Sequence, residues 1–547
     1  MNWLPILMGW QAVITIGGVA GAGYVWTNGE MVAWLQVVVG LLFLLEAGLS
    51  GGAVWFLRQK IHRGRTLALL VNYLAFLVCF FALLQQLGFF TGLDALADTF
   101  GRGLPILLLG GFSYYVLGLQ AERYAESKPG FERQIGRVQR WVMRVTIILF
   151  LLAVGIVQAT LFVLTSLVGD GTALLLAGGA LFFGVGFGMA WQRPVAAALG
   201  ATNSDQEMIS GWLFLSPNLL GFLFFFAGPL LLSLYVSFTN WDAFGTQDWV
   251  GLDNYQRILN LDVASLDNAE QLANEVLDVT VYAELTRFSI GDNHYVVGAE
   301  DKLFWLALRN TLFFVLMAVP LSVIPSLFLS NLLNSKLPGM KFFRAIYFLP
   351  SVAAVVGIAL VWQWLFNATI GYINYFLSLL VDLYNMIGGN IDPELPRWLS
   401  DSSTALLAVV IVSAWQWLGF NTVLFLAGLQ NIPKSLYEAA TVDGATERQQ
   451  FWRITLPLLA PTTFFVVTTT TIQAMQIFEQ VFILIPTNPA GPNNSTLTMV
   501  LYLYQQGFQR FEQGYASAIA WVLFLMIFGA TLFQFQRQRA SSGNYEG

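Results

Sequence analysis

Apolar residues recur along the chain in windows of about 20 residues, and most charged residues lie between these windows. A helix rises about 1.5 Å per residue, so each window is long enough to cross a hydrocarbon layer about 30 Å thick. Backbone amides in lipid need partners within their own segment, and continuous rather than alternating apolar runs exclude a β-barrel. The pattern predicts an all-α polytopic membrane protein with about twelve transmembrane helices, near residues 4–26, 31–57, 66–90, 103–120, 145–168, 172–191, 211–238, 303–333, 345–366, 403–429, 459–485 and 514–536.

Composition supports a bilayer as the solvent of this chain. Of its 547 residues, 56% are hydrophobic and only 11% are charged, whereas ordinary globular proteins have roughly 25% charged residues. A net charge of −6 argues against nucleic acid as a partner. The first ten residues lack the Lys or Arg that a cleavable signal peptide needs, so we expect the first window to be a retained span.

The basic residues predict the orientation of the chain. If residue 1 is cytoplasmic, the connections on the inner side carry nineteen of the 26 Lys and Arg residues, and those on the outer side carry six. Because cytoplasmic connections are enriched in Lys and Arg, we expect a multi-pass protein of the cell (inner) membrane with both termini in the cytoplasm.

Two regions differ in character, and the connector 192–210 separates them. Residues 1–205 form a six-span hydrophobic region of unknown role, and residues 206–547 have longer polar insertions between their six spans. The largest insertion, 239–302, carries twelve Asp and Glu against three Lys and Arg. We expect it to be external and to have some structure of its own; it could be a solvated linker or a docking site for an external partner.

Several motifs of catalytic or metal chemistry are absent or unsupported. No Gly-Lys-Ser or Gly-Lys-Thr occurs, so the chain lacks a P-loop and is not expected to be an enzyme that hydrolyses ATP by that route. The two histidines, His62 and His294, are not in a metal-ligand spacing, and we expect neither a metal site nor a catalytic residue. Ser50 lies in a G-x-S-x-G pattern, but no span contains a histidine that could serve as its base, which favours helix packing instead.

Residues 433–457 form a polar segment on the predicted cytoplasmic side. Ser435 with Glu438, and Thr446 with Gln449, have the spacing of capping boxes, so two short helices are expected to begin at these points. The pattern predicts a helix–turn–helix that lies at the membrane surface.

Within this segment Gly444 permits a sharp turn between the two helices, while Ala439 and Ala440 offer a flat face for close packing. The segment resembles the E-A-A-x-x-x-G-x(9)-I-x-L-P signature, the EAA motif, of permease subunits in binding-protein-dependent ABC importers. The matched positions are Glu438, Ala439, Ala440, Gly444, Ile454, Leu456 and Pro457.

The resemblance implies that residues 206–547 form the permease core and that 433–457 contains a coupling helix inserted into a separate ATPase. Glu438 would make a polar contact, the two alanines would pack and Gly444 would allow the bend. The implied coupling residues are Glu438, Ala439, Ala440, Asp443, Gly444, Ile454, Leu456 and Pro457. The implied partners are a second permease in a heterodimer, two cytoplasmic ATPase subunits that use ATP, an external solute-binding protein and membrane lipid; this chain itself would bind no cofactor.

Further stretches resemble permeases of the maltose and glycerol-phosphate transporter type, which implies a carbohydrate cargo. They lie at 237–241, 250–255, 309–311, 342–350, 415–421 and 491–496. Sugars bind to aromatic faces and to amide or hydroxyl groups, and polar side chains inside a membrane are costly unless they are paired or face water. The expected substrate pathway is Trp415, Gln416, Gly419, Asn421, Gln473 and Gln476.

Two alternatives stay open from the sequence. The polar residues of the pathway could instead form helix-to-helix hydrogen bonds, with the partner permease supplying all contacts to cargo. An ion-coupled twelve-span secondary transporter would suit the span count, but it predicts internal repeats and carboxylates deep in the spans and leaves the 433–457 signature unexplained.

Overall fold

The computed structural model of the chain describes residues 3–27, 33–89, 96–124, 129–334, 339–485 and 487–542. It confirms the all-α membrane fold class, and it divides the chain into two compact units, Met1–Leu220 and Gly221–Gly547. Large hydrophobic side chains are exposed on the helices of both units, among them Val168, Phe214 and Phe225. Exposed apolar surface on this scale is expected where lipid covers the protein.

Unit 1 is built from helices. They are α1 (Trp3–Thr27), α2 (Ala33–Arg58), α3 (His62–Gln86), α4 (Leu96–Tyr124), α5 (Pro129–Ala153), α6 (Ile156–Gly169), α7 (Gly171–Trp191), α8 (Arg193–Ala198) and α9 (Asn203–Phe222), within which the unit boundary falls. Helix α1 packs on α2, α3 packs on α7, and α4 packs on α5. Helices α1, α2 and α3 share a core that includes Leu7, Ala53, Leu57 and Ala68.

Polar contacts and small residues join the helices of unit 1. The hydroxyl of the buried Ser50 lies 2.8 Å from the backbone oxygen of Gln11 and 2.7 Å from its Oε1, so this serine joins α2 to α1. Arg65 of α3 is buried, and its Nε donates to the backbone oxygen of Ala190 at 2.9 Å. A Cβ at Gly186 would lie 2.1 Å from Asn72 Oδ1, so only glycine allows α7 to approach α3 here.

Unit 2 adds a small sheet to its helices. Its elements are α10 (Gly228–Val236), α11 (Asp253–Leu259), β1 (Leu261–Leu266), β2 (Ala283–Ile290), β3 (Asn293–Ala299), α12 (Lys302–Leu333), α13 (Met340–Val352), α14 (Val355–Leu365), α15 (Tyr372–Met386), α16 (Ala405–Gln430), α17 (Lys434–Val442), α18 (Glu447–Gln450), α19 (Leu456–Leu458), α20 (Ala460–Met475), α21 (Glu479–Leu484), α22 (Met499–Tyr504) and α23 (Gln513–Ser542). Single π-helical turns occupy 223–227, 451–455 and 505–509.

Helix α16 lies at the centre of unit 2. Most of its surface is buried, and it packs against α12, α13 and α20. The core around it contains side chains from several helices, including Phe304, Phe314, Phe425, Val466 and Tyr502. Movement of α16 would therefore be transmitted to most of the unit.

Within the described residues, nine helices are long and apolar enough to span a membrane, and up to twelve spans are obtained if each of three bent helix pairs counts as one. The predicted spans 145–168, 345–366 and 459–485 fall on these pairs. The bends are 51° between α5 and α6, 98° between α13 and α14, and 65° between the helix ending at Leu458 and α20. Each of these three windows is therefore a bent helix pair, which is either a broken span or a re-entrant loop.

Two of the three bends have a local cause. Gly155 between α5 and α6 has φ +85°, a conformation that residues with a Cβ rarely adopt. Ala353 and Ala354 are extended between α13 and α14, three residues after Pro350. The window 459–485 is also interrupted, because α20 ends at Met475 and α21 begins only at Glu479.

The acidic insertion 239–302 has structure of its own, as expected. Its three strands form an antiparallel sheet in the order β1–β3–β2, with Gly291 at φ +63° in the turn between β2 and β3. Leu266, Leu277 and Val296 form a small separate core. This fold holds the insertion in a defined shape before α12 begins.

Candidate functional site

The 433–457 segment connects the two helices that carry the predicted pathway residues. Helix α17 follows α16 after a three-residue connection, and the chain then turns and runs through α18, a π-helical turn and α19 into α20. The expected helix–turn–helix is present. A displacement of α17 would therefore act on α16 and α20 at once.

Gly444 makes the turn, as predicted. Its φ is +77°, and the two hydrogen bonds of a Schellman motif close the end of α17: Gly444 N–H donates to Thr441 O at 3.1 Å, and Ala445 N–H donates to Ala440 O at 2.9 Å. A Cβ at Gly444 would meet no atom within 4 Å. The backbone conformation, not the surrounding space, is what favours glycine here.

Of the two capping boxes read from the sequence, one is confirmed and one is wrong. Thr446 accepts from Gln449 N–H, and Gln449 Oε1 accepts from Thr446 N–H at 2.8 Å. The N-cap of the first helix lies two residues earlier than expected, at Pro433, so Ser435 lies inside the helix and makes no cap. The carboxylate of Glu438 is therefore not used for capping.

Packing holds both ends of the segment. Leu429, Ile432 and Leu459 form a buried cluster against Leu327 and Tyr437. This cluster lies where α16 ends and where α20 begins, so the two ends of the segment are fixed against each other.

Hydrogen bonds cross the segment as well. The hydroxyls of Tyr437 and Thr455 lie 2.9 Å apart, and Gln450 Nε2 donates to Thr441 Oγ1 at 2.9 Å. These two contacts join α17 to the part of the segment that returns towards α20. We call the part of the segment between α16 and α19, residues 434–455, the tip. These contacts hold its two halves together.

The first residues of the signature lie at the surface of the tip. Glu438 and Ala439 are exposed, Ala440 is half-buried, and the neighbouring Val442 is 88% exposed. Within the described residues the Glu438 side chain makes no hydrogen bond or ion pair. An unpaired carboxylate beside small side chains and an exposed valine is suited to contact another protein.

The remaining predicted coupling residues occupy two kinds of position. Asp443 and Pro457 are exposed, and Asp443 is the C-cap of α17; Ile454 and Leu456 are half-buried on the returning helix. These two aliphatic side chains support the segment from its inner side. Their contact with an ATPase stays a prediction.

Three of the six predicted pathway residues lie in helix–helix contacts. Asn421 is 3% exposed, and its Nδ2 donates to Ser322 Oγ at 2.9 Å and to Thr470 Oγ1 at 3.2 Å, which joins α16 to α12 and α20. Gln416 Oε1 accepts from Gln480 Nε2 at 3.1 Å. At Gly419 a Cβ would lie 2.1 Å from the backbone oxygen of Tyr347, so this glycine permits α13 to cross α16 closely.

The other three are exposed on the surface of unit 2. Gln473 and Gln476 lie at the end of α20, and neither side chain forms a hydrogen bond within the described part of the chain. Trp415 is 41% exposed, with its ring 5.5 Å from that of Trp362. An unpaired amide on a spanning helix is costly in lipid, which favours a water-filled path or a partner subunit beside it.

A buried acidic residue at the start of α12 was missed by the sequence analysis. Asp301 caps α12 by accepting from Phe304 N–H at 3.0 Å, and it also accepts hydrogen bonds from Tyr502 and Tyr515. Arg257 lies 4.0 Å above the ring of Tyr515. An Asp before an apolar run is a cap signal that could have found Asp301, but the tyrosines lie some 200 positions away.

Among the described residues, no group of three or more His, Cys, Asp and Glu is arranged to hold a metal ion. The polar contacts of α12, α16 and α20 and the exposed tip of 433–457 are the two distinctive features of this chain.

A protein-family sequence model described as "binding-protein-dependent transport system inner membrane component" matches residues 308–540. The match contains the whole 433–457 segment and all six predicted pathway residues, and it contains no part of unit 1.

Curated proteins of the same kind are similar over a longer stretch. The probable ABC transporter permease protein YesP of Bacillus subtilis is 33% identical over 332 residues, which are 60% of this chain and 91% of YesP. The arabinooligosaccharides transport system permease protein AraP of Bacillus subtilis is 30% identical over 61% of this chain and 89% of its own length. The lactose transport system permease protein LacF of Rhizobium radiobacter is 34% identical over 44% and 78%.

A solved structure of a bacterial ABC transporter involved in the import of the acidic polysaccharide alginate also matches. It has a TM-score of 0.45 and 20% identity, and the match covers 61% of this chain and 98% of that chain.

Proposed function

Because the chain belongs to the family of inner-membrane permease components of binding-protein-dependent ABC transport systems, we propose that it imports a carbohydrate and is driven by a separate ATPase. An oligosaccharide or a glycerol-phosphate-like solute is the cargo class. The relatives AraP and LacF are named for arabinooligosaccharides and lactose, and two UgpA relatives are named for sn-glycerol-3-phosphate. Family membership also disfavours an ion-coupled secondary carrier.

The coupling proposal rests on the tip of the 433–457 segment. The tip is exposed, and contacts within the segment hold it in place. Glu438, Ala439 and Val442 face outward from a body whose ends are fixed to α16 and α20. An ATPase subunit that grips this tip would move both helices when it closes around ATP. The sequence supplies no P-loop of its own, which supports a borrowed ATPase.

The cargo path follows from the exposed polar residues rather than the buried ones. Gln473 and Gln476 can donate to and accept from ring hydroxyls, while Trp415 offers an aromatic face for the C–H surface of a sugar. Gln416, Gly419 and Asn421 would act on the path indirectly, because they hold α16 against its neighbours.

The remaining proposed partners are those with which permeases of this family assemble. A second permease completes a heterodimer, an external binding protein delivers the solute, and two ATPase subunits act on the cytoplasmic side. The excess of Lys and Arg in the predicted inner connections supports a cytoplasmic position of the 433–457 segment and of both termini.

Co-purification with the ATPase tests the proposal. We expect Glu438→Lys to reduce recovery of the ATPase with the full chain at least tenfold, because it places a cation where the exposed carboxylate now lies. Glu447→Lys makes the same charge change at an exposed position of the same segment, outside the Glu438–Val442 face, and should retain the ATPase. Equal recovery of the ATPase with Glu438→Lys and with the unaltered chain would contradict the proposed contact.

A further inference from the structure

A cavity of about 500 Å³ lies between α20 and α23 at the end of both helices that adjoins the 433–457 segment. Its walls are mostly apolar and include Phe464, Val467 and Phe533. Leu456, a residue of the permease signature, also lines it. Helix α23 is long and apolar enough to span a membrane, and α20 counts as a span together with the bent helix before it, so we expect the cavity to face the acyl-chain region of a bilayer.

Three buried polar atoms in this cavity lack a partner. Thr463 Oγ1, Thr468 Oγ1 and Gln534 Oε1 make no hydrogen bond within the described residues. Thr468 is only 7% exposed, so bulk water does not readily satisfy its hydroxyl. Buried hydroxyl and amide groups without partners are costly, so a polar group of another molecule that reached them would be bound favourably.

The mouth of the cavity carries a cation. The Arg537 side chain is exposed, and its guanidinium carbon lies 5.2 Å from the centroid of the Phe533 ring. Among the residues that line the cavity, Arg537 is the only ionisable one. A cation at the end of a spanning helix, above an apolar slot, is the arrangement that attracts an anionic lipid head group.

From this geometry we infer that the α20–α23 cavity binds one anionic phospholipid with a hydroxyl-bearing head group, of which phosphatidylglycerol is the simplest. The phosphate pairs with Arg537, the threonine hydroxyls donate to phosphate or ester oxygens, and Gln534 Oε1 accepts from a head-group hydroxyl. One acyl chain fills the apolar slot. Gln534 Oε1 can only accept, which is why a head group with a hydroxyl donor fits better than a phosphate alone.

The position of the cavity connects this lipid to the bend before α20. Leu456 lies on the returning helix of the 433–457 segment, and Ala460, which also lines the cavity, follows the 65° bend. A bound lipid would oppose movements that close the slot and so affect how the tip moves α20. This part of the inference rests on the proposed function, whereas lipid binding itself does not.

Native mass spectrometry of the purified full chain, with whatever subunits remain bound, measures retained phosphatidylglycerol directly. A contact between one basic side chain and an anionic lipid surface is worth about 1 kcal/mol, so Arg537→Gln should lower the affinity for phosphatidylglycerol about fivefold. Arg193→Gln removes an exposed arginine of unit 1 and should leave the affinity unchanged. Thr468→Val keeps the shape of the side chain and removes the unpartnered hydroxyl, so it should lower the affinity while it raises the thermal unfolding temperature of the lipid-free protein.

Four outcomes would overturn the site. Arg537→Gln and Arg193→Gln could retain phosphatidylglycerol equally. Phosphatidylcholine could bind as tightly as phosphatidylglycerol, or free glycerol phosphate could displace the lipid, which would identify a soluble phosphate compound as the ligand. Loss of bound lipid when the second permease assembles would show that a helix of that subunit fills the cavity.

A separate measurement addresses the effect on coupling. ATP hydrolysis by the assembled transporter in nanodiscs should rise with phosphatidylglycerol content, and Arg537→Gln should remove this dependence. If the variant loses the lipid but hydrolysis still follows phosphatidylglycerol content, the link to the bend is wrong and the binding site stands. Failure of the chain to recruit any ATPase would instead contradict the proposed function.

Discussion

The tip of the 433–457 segment and the interior of α16 and α20 use polar side chains in opposite ways. At the tip, Glu438 is exposed and unpaired within the described residues, while the backbone around it is fixed by the Schellman turn and the Thr446 cap. In the interior, the amide of Asn421 is satisfied by Ser322 and Thr470. The tip therefore leaves its carboxylate unpaired among the described residues, whereas the interior uses its polar groups to hold helices together.

This difference separates two kinds of inference from sequence. A signature with fixed spacing can be found from residues near each other in the chain, and its Glu438 has no side-chain partner among the described residues. A polar residue inside an apolar window is ambiguous, since it lowers its cost by finding either a neighbouring helix or a hydrated path. The structure distinguishes Asn421, which is bonded and buried, from Gln473 and Gln476, which are exposed.

The largest effect is expected at the turn of the tip. Gly444→Val places a β-branched side chain at φ +77°, where it is strained by roughly 1–3 kcal/mol. The turn should rearrange and carry the Glu438 face with it, so uptake by the assembled transporter should fall at least tenfold. Gly444→Asn should keep most of the uptake, because asparagine tolerates this conformation and a Cβ there meets no atom within 4 Å. Equal uptake by the two variants would show that the shape of the turn does not matter.

The features that the sequence could predict are those set by residues close together in the chain. Hydrophobic windows located the spans, and spacing located the tip, the Thr446 cap and the turn at Gly444, because these depend on residues near each other in sequence. The sequence could not place the cap of α17 at Pro433 rather than at Ser435, which differ by two positions. The end of α20 at Met475 was also missed: the next residues contact distant chain, as where Thr498 Oγ1 donates to Ile477 O at 3.1 Å.

An intermediate effect is expected in the interior. Asn421→Leu removes two hydrogen bonds and leaves the hydroxyls of Ser322 and Thr470 without this partner. Hydrogen bonds between helices in membranes average about 0.6 kcal/mol, with values up to about 1.7, so the variant should lose about 1–2 kcal/mol of unfolding free energy. Gln476→Ala is the matched change at an exposed amide, and we expect it to leave stability unchanged while it raises the KM for uptake. If Asn421→Leu changed the KM without any loss of stability, Asn421 would belong to the cargo path.

The smallest effect distinguishes the two capping boxes. Thr446→Ala removes the hydroxyl that accepts from Gln449 N–H, and loss of such a cap costs about 1 kcal/mol. Ser435→Ala should cost almost nothing, because Ser435 lies inside α17 and its side chain makes no cap. Amide hydrogen exchange along 433–457 measures both: exchange should quicken at 447–450 in Thr446→Ala and stay unchanged in Ser435→Ala. Since the tip is fixed mainly by the Gly444 turn and the Leu429–Ile432–Leu459 cluster, Thr446→Ala should reduce uptake far less than Gly444→Val. If Thr446→Ala reduced uptake as much as Gly444→Val, the partner would bind α18 rather than the face of α17.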